Sequence, residues 1–411
     1  MRETRSRGFE PGGNDGDARP RVVMLVSNGF HPDVRVHHEA RSLVGNGYRV
    51  EVIAWDRDGA YARTEEVDGI RVVRVRAPSG FSGGLRQLPG FARFWAASVW
   101  YLLCGGWDVV HCHDVDTLLP GLLAALIRRR PVIFDAHECY YHLCRKRLPG
   151  WLVWFVRHFE RFGVARTSMI LGACEATSRY YQACSGIPAF TLQNLKIAEE
   201  FQFDRRVLQR TRADLAVADG IVLAYFGSFA KNRNLDLLVH AVQNEPRVFL
   251  LLAGAGEQLA TVLAAVRNAA NVRYLGHLPY RDIPLYTAIS DCVCFLYDPD
   301  SPMAPYNSPN KLYEALAAGI AILGSDIGGD FSRVVRETGC GLLLDTMTVE
   351  AIRNAVLRLR DDPVLLPDLK RNSTRAGLTR YHWRSAEGTL LCAYDRLFPR
   401  RSLAAEPMSR V

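Results

Sequence analysis

Residues 21–55 read RVVMLVSNGFHPDVRVHHEARSLVGNGYRVEVIAW. A short β-branched run, Arg21–Ser27, is followed by a longer amphipathic one, Val34–Asn46, and then by a second strand-like run, Arg49–Trp55. Strand, helix and strand at this spacing form a βαβ unit, which places the two strands side by side in a parallel sheet. The alternation continues outward. Strand-like runs recur at Ile70–Val75, Asp108–Cys112, Pro131–Asp135 and Met169–Leu171, with helix-like stretches at Phe91–Leu103, Leu118–Arg129 and Trp151–Arg166. Residues 195–219, LKIAEEFQFDRRVLQRTRADLAVAD, are more charged and hold no strand-like run. Beyond them strands resume at Ile221–Phe226, Val248–Ala253, Val272–Leu275, Cys292–Leu296, Ile320–Gly324 and Gly341–Leu344, and a last helix-like stretch covers Trp383–Leu397.

This pattern predicts an α/β protein with two doubly wound domains, over residues 21–195 and 205–380. Residues 1–20, rich in Gly, Arg and Asp, read as a disordered tail. The helix over 381–399 is expected to pack back towards the N-terminal domain. Two such domains facing each other enclose a cleft, and open α/β sheets bind ligands at the carboxyl ends of their strands.

Composition excludes several classes. The chain has 411 residues, 48% of them apolar and 23% charged, which is ordinary for a globular protein and unlike disordered or fibrous chains. The longest uncharged stretch, Phe94–Trp107, is short of the ~20 residues that span a bilayer. No charged-then-apolar export signal opens the sequence, so a cytosolic location is expected. Net charge is +8, yet only five of the 51 basic residues are Lys, and no nucleic-acid surface is read from that. The ten Cys include no Cys-x₂-Cys pair and are expected to be reduced.

The segment richest in chemistry is Asn307–Gly319, NSPNKLYEALAAG. Pro309 suits the first turn of a helix and Ser308 the N-cap before it. Free N–H groups at that helix start, near Asn310 and with Lys311 beside them, suit an anion. Glu314, one turn on, suits a ribose diol; an ordinary capped helix with a solvated Lys and Glu is the plain alternative. Phe226-Gly227-Ser228 ends a strand, and a short loop with Lys231 and Arg233 leads to Asn234, an arrangement that suits a diphosphate. Gly254-Ala255-Gly256 follows a buried strand, and by itself a tight turn explains it equally well. His113 ends the strand-like Asp108–Cys112 run. His111 and His113 have the spacing of a zinc pair but no third ligand nearby, so no metal is expected. The Asp-x-Asp strings at 114–116 and 298–300 are read as loop carboxylates.

Taken together, these segments resemble the retaining glycosyltransferases of family 4, also called group 1. The resemblance runs over about residues 21–397. It includes FGSFAKNRNLDLLVHAV at 226–242, LLAGAGEQL at 251–259, VRYLGHLPYRDIPLYTAISDCVC at 272–294 and a closing YHWRSAEGTLLCAYDRL. It implies two Rossmann-like domains in the GT-B arrangement and a nucleotide-sugar donor, a UDP- or GDP-sugar, held mainly by the C-terminal one. The implied donor contacts are Arg233 and Lys311 for the phosphates, Glu314 for the ribose, Gly254 and Gly256 lining the nucleotide pocket, and Asn307, Ser308 and Asn310 around the helix start. Ser228 stands where the family has a further arginine, which leaves Lys231 or Lys311 to provide that charge. His113 is implied as the residue near the reacting carbon.

Two departures stand out. The family's first loop has two adjacent glycines, whereas here only Gly29 is present, followed by Phe30-His31. The Glu-x₇-Glu pattern that ends on Glu314 begins with Tyr306, so the first carboxylate is missing and Asn307 or backbone must replace it. Arg35 is read as an acceptor or phosphate contact, with a surface-helix arginine as the equal alternative, and His137 and Glu138 as acceptor contacts.

The reading is a metal-independent, cofactor-free glycosyltransferase of cell-surface glycan synthesis, acting on a glycan or lipid-linked acceptor. Two alternatives are an inactive nucleotide-sugar-binding partner subunit and a sugar-nucleotide epimerase. An NAD dehydrogenase is disfavoured, because no Gly-x-Gly-x-x-Gly follows the first strand. Residues 141–166, YHLCRKRLPGWLVWFVRHFERFGVAR, set six basic groups against the acid Glu160. Trp151, Leu152, Phe155, Phe159 and Phe162 fall on one helical face and, with the apolar Leu85–Leu103 and its Arg86 and Arg93, suggest docking on an anionic membrane. The alternative is that this face packs on the sheet.

Overall fold

A computed structural model describes residues 19–31, 33–79, 87–145, 148–217 and 219–398. Residues 1–18 of the expected tail, Arg86, Lys146, Arg147 and the end of the expected 381–399 helix lie outside the described residues. The chain divides into two compact units. The first runs to Ala173 and takes in Thr177–Leu192 and the chain from Glu387; the second holds Cys174–Ala176 and Gln193–Ala386.

In the first unit β1 (Arg21–Val26) leads through α1 (Val34–Gly45) to β2 (Arg49–Asp56). The hairpin β3 (Thr64–Val67) and β4 (Ile70–Arg76) follows, then α2 (Leu88–Cys104), β5 (Val109–His113), α3 (Val115–Arg128) and β6 (Val132–Ala136). The unit continues through α4 (Tyr140–Cys144), α5 (Gly150–Val164), β7 (Met169–Gly172), α6 (Glu175–Ser185) and β8 (Ala189–Thr191). The strands lie in the order β3-β4-β2-β1-β5-β6-β7-β8, parallel except for β3. Val22–Val26, Val109–His113 and Val132–Ala136 are buried throughout, as a sheet covered by helices on both faces requires. Neighbours β1 and β5 are where the strand order reverses, so the loops beyond them form this unit's natural binding edge.

The second unit begins with α7 (Arg205–Asp214), β9 (Ile221–Phe226), α8 (Leu235–Val242), β10 (Val248–Ala253), α9 (Leu259–Val266) and β11 (Val272–Tyr274). It goes on with α10 (Ile283–Ala288), β12 (Cys292–Phe295), α11 (Asn310–Ala318), β13 (Ala321–Ser325), α12 (Gly329–Thr338) and β14 (Gly341–Leu344). Its sheet runs β11-β10-β9-β12-β13-β14, and all its strand pairs are parallel. Alternate residues of β9 face opposite cores, Leu223 and Tyr225 one, Val222, Ala224 and Phe226 the other. The order reverses between β9 and β12.

Helices α13 (Val349–Asp361) and α14 (Leu365–Thr379) complete this unit. The last helix, α15 (Trp383–Leu397), starts in it. Beyond Glu387 the helix belongs to the first unit, where fully buried Tyr394 packs edge-on against Tyr48 at 5.3 Å and meets His111 Nδ1 at 3.0 Å. All ten cysteines are free thiols.

Candidate functional site

In the second unit a cavity of about 410 Å³ opens at the carboxyl ends of β9 and β10. Gly227, Ser228, Gly254 and Ala255 line it from the strand ends, His277, Leu278 and Tyr280 from the loop after β11, and Asn310, Lys311 and Glu314 from the start of α11. Gly254 has φ +132, and a Cβ there would collide with the Gly227 carbonyl, so only glycine lets the two strand ends approach. Lys311 lies with Nζ 4.6 Å from the centre of the Tyr225 ring. Burial pulls its ammonium down to about 8, although Glu314 favours the charge. Glu314 itself is buried.

No side chain among the described residues caps α11, which leaves its first N–H groups suited to an anion. This corrects the expected cap: extended Pro309 takes the N-cap position, and Ser308, one residue too early, has its hydroxyl 3.2 Å from the Tyr313 phenol. Arg233 ends a 3₁₀ turn, Lys231–Arg233, with its guanidinium 4.5 Å from the Tyr297 ring centre and 5.5 Å from that of Phe295. Its Nε and Nη1 are buried without a hydrogen-bond partner among the described residues, an arrangement suited to an incoming anion.

Several predicted donor residues do not line this cavity. Lys231 is exposed, and its backbone N–H donates to Glu257. Asn307 follows the turn holding Tyr306, while Gly256 packs under the Phe229 carbonyl, 2.7 Å from where its Cβ would stand. Sequence reasoning missed Lys196, which is buried and donates from Nζ to Asn310 Oδ1 at 2.8 Å. It also missed Tyr280, whose buried hydroxyl has no partner among the described residues. Lys196 stood in the charged stretch that held no strand-like run, and its rarity as one of five lysines was the available signal.

In the first unit the edge beyond β1, β5 and β6 gathers the remaining candidates. His113 ends β5, but its side chain is only 3% exposed, against 23% for His137. The more accessible ring is therefore His137. Its Nε2 lies 3.1 Å from Asp135 Oδ2 and its backbone N–H donates to Asp114 Oδ1 at 3.0 Å. Burial works against charge on this ring, yet Asp114 and Asp135 outweigh it and lift its pKa to about 10. Burial keeps His113 and His111 neutral. His113 Nδ1, 3.1 Å from Asp135 Oδ2, is assigned as its N–H, leaving buried Nε2 as a bare acceptor. Burial raises Asp114 to about 7, and its φ of 64° is rare outside glycine.

Arg35 is buried, not a surface arginine. It binds Asp135 Oδ1 at 2.6 Å, lies 3.1 Å from Glu39 and donates to the Leu192 carbonyl at 2.6 Å. Gly29 packs against Tyr61, whose ring would stand 2.7 Å from a Cβ there, and its carbonyl accepts from Arg74. Glu138 follows His137, with its carbonyl facing Tyr181. The third ligand that the sequence did not offer beside His111 and His113 exists: Glu39 and Asp135 bring ligand atoms within 4.8 Å of theirs. Arg35 already touches both carboxylates, so a metal ion there would sit against a fixed cation.

Away from this edge, α5 turns its aromatics outward. Trp151, Trp154, Phe155 and Phe162 are exposed, while Glu160, Gly163 and Val164 face inward. This removes the alternative in which that face packs on the sheet. Leu152 and Phe159 are half-buried, and Trp154 takes a place on the outer face instead. No helix among the described residues is long and apolar enough to cross a membrane.

Two doubly wound units, one with a cavity offering a lysine beside a buried carboxylate at its strand ends, define a nucleotide-sugar-dependent enzyme of the GT-B class. The sequence matches the glycosyl transferase 4-like domain over residues 32–195 and the glycosyl transferases group 1 domain over residues 209–376. The chain belongs to the group 1 glycosyltransferases. It is 24% identical over 364 residues to the phosphatidyl-myo-inositol mannosyltransferase of Mycobacterium tuberculosis, covering 85% of this chain and 88% of that one. It is 22% identical over 395 residues to the GDP-mannose:cellobiosyl-diphosphopolyprenol alpha-mannosyltransferase of Xanthomonas campestris, covering 90% and 96%. Among solved structures, sucrose-phosphate synthase from Thermosynechococcus elongatus has a TM-score of 0.75 at 16% identity, covering 93% of this chain and 100% of that one. Anabaena HepE, in complex with UDP and glucose, has a TM-score of 0.70 at 17% identity, covering 92% and 100%.

Proposed function

We propose that the protein transfers a hexose, with retention and without a metal, from a UDP- or GDP-sugar to a glycan or lipid-linked acceptor in cell-surface glycan synthesis, at the cytoplasmic face of an anionic membrane. The observation that carries this reading is the pairing of Lys311 and buried Glu314 in one cavity beneath an uncapped helix start. The cation and N–H groups suit a diphosphate, and the carboxylate suits the two hydroxyls of a ribose. Arg233, with its unpartnered arms, adds a second charge.

In this mechanism the leaving diphosphate takes up the acceptor proton on the face it departs from, so no protein nucleophile is required. Lys311, Arg233 and the α11 dipole stabilise the charge that grows on it. His137 is the ring accessible to a sugar, and His113 acts behind it through Asp135. The likeness to a GDP-mannose-dependent mannosyltransferase favours GDP-mannose as donor, whereas the likeness to HepE with UDP favours a UDP-sugar. Lipid-linked acceptors fit both the relatives and the outward aromatics of α5.

A panel of nucleotide sugars, assayed for hydrolysis and for protection against thermal unfolding, tests the donor. One nucleoside diphosphate should raise the melting temperature and its sugar should be released; no shift with any of them would remove the donor site. Tyr306 in the place of a carboxylate supports a second reading, an inactive partner subunit. That reading requires protection by a nucleotide sugar with no turnover on any acceptor.

A further inference from the structure

The turn between β6 and α4 carries His137 and Glu138, and two buried side chains grip it from within. Tyr181 of α6, 1% exposed, is hydrogen-bonded through its phenol to Glu160 Oε1 of α5, and the phenol oxygen also lies 3.3 Å from the Glu138 carbonyl. Glu160 is also 1% exposed, and the backbone N–H groups of Tyr140 and Tyr141, just past the turn, point to it. An inward position on a helix is ordinarily filled by an aliphatic residue, because a buried carboxyl without full hydrogen bonding is destabilising. Burial keeps this one protonated up to about pH 7. The Tyr181 hydroxyl donates to Glu160 Oε1 and stands within reach of the Glu138 carbonyl, so one phenol touches both.

We propose that Glu160 and Tyr181 are positioning residues of the transfer reaction: their hydrogen-bonded pair clamps the β6–α4 turn and so fixes His137 and Glu138. The opposite side of the turn is already held, because the His137 backbone N–H is bonded to Asp114 and its ring to Asp135. The pair holds the inner side, where Cys139 Sγ also reaches Thr177 Oγ1 of α6 at 3.7 Å. Its consequence for rate rests on the glycosyltransfer reading above; the clamp itself does not.

Tyr181→Phe keeps the ring, which stands edge-on to Phe134 at 5.2 Å, and removes only the hydroxyl. Glu160→Gln keeps the shape and offers an amide to Tyr181, whereas Glu160→Leu repeats the deletion from the other partner. Hydrogen exchange on the full chain should show amides over residues 137–143 opening about tenfold faster in Tyr181→Phe and Glu160→Leu, near wild type in Glu160→Gln, and unchanged in β1 and β5. Hydrolysis of UDP-glucose or GDP-mannose, whichever the wild type accepts, should fall about tenfold in kcat with KM within about twofold. Unchanged exchange in both deletions overturns the clamp, whatever the activity. Faster exchange with wild-type kcat overturns the positioning role. A wild type that hydrolyses neither nucleotide sugar overturns the transfer reading instead, and the exchange arm still decides the clamp.

Discussion

Lys311 shows how burial sets the pH range of a binding residue. Its pKa of about 8 means that the charge offered to a diphosphate is lost as pH rises through that value. Nucleoside diphosphate affinity should therefore fall between pH 7 and about 9, and isothermal titration of Lys311→Met should show a weaker affinity that no longer varies over this range. The sign for stability is opposite. The unfolded lysine keeps its proton to about 10.4, so the unfolded chain binds more protons between these values and this residue's contribution to stability rises with pH. Glu314→Ala and Arg233→Ala should each cost roughly 2–4 kcal/mol in kcat/KM with the fold retained, as seen by circular dichroism. His137→Ala should lower turnover more than nucleotide affinity; equal losses in both would place His137 outside the sugar contact.

Lys311 and Glu314 were legible because both lie in one short segment beside a helix start. Lys196 and Asp135 were not. Each gains its meaning from a partner far along the chain, Asn310 for the first and Arg35 for the second, and no local pattern announces such a meeting. His113 illustrates the converse. Its place at a strand end was readable, but the direction of its side chain depends on a neighbouring strand, and the ring is buried.

Among elements, the parallel strands were the easiest to read, since β-branched runs covered on both faces leave a continuous apolar signal. Strand β3 was missed although its signal was present. Its sequence, TEEV, alternates exposed and half-buried residues at a sheet edge, and Asp68-Gly69, with φ of 52° and 76°, forms the two-residue turn that closes a hairpin onto β4. Helix α5 was read as amphipathic, but which way its aromatics point is a property of the packed unit. Their exposure predicts co-sedimentation with vesicles containing phosphatidylglycerol, weaker in high salt and weaker still on neutral lipid. Trp151→Ser combined with Phe155→Ser should lower that binding at least about fivefold without lowering the melting temperature, because neither side chain supports the core. Full recovery in the supernatant under every condition would leave a protein with no lipid contact.

For the molecule as a whole, the positive groups set beside negative ones or at the proposed donor site are side chains: Arg35 among the carboxylates of the first unit, Lys311 in the cavity of the second and Arg233 with its unpartnered arms. Turnover should accordingly persist in the presence of a strong chelator, and a loss restored by one divalent ion would assign the Glu39–His111–His113–Asp135 cluster to that ion. The first unit also shows why domain limits drawn along a sequence mislead. Its core contains Tyr394, far beyond the segment that supplies its sheet.

That placement has a consequence for how the protein is made. A ribosome releases the sheet of the first unit early, yet the phenol that meets His111 and packs on Tyr48 emerges long after it. At about 5–20 residues per second, the roughly 200 residues between Leu192 and Tyr394 impose a delay of about 10–40 s. During that interval the nascent first unit has an apolar slot with nothing in it, while the second unit completes almost all of itself. Order of synthesis and order of completion are thus reversed, and a chain halted before Glu387 should fold its later half while leaving its earlier half a client for chaperones.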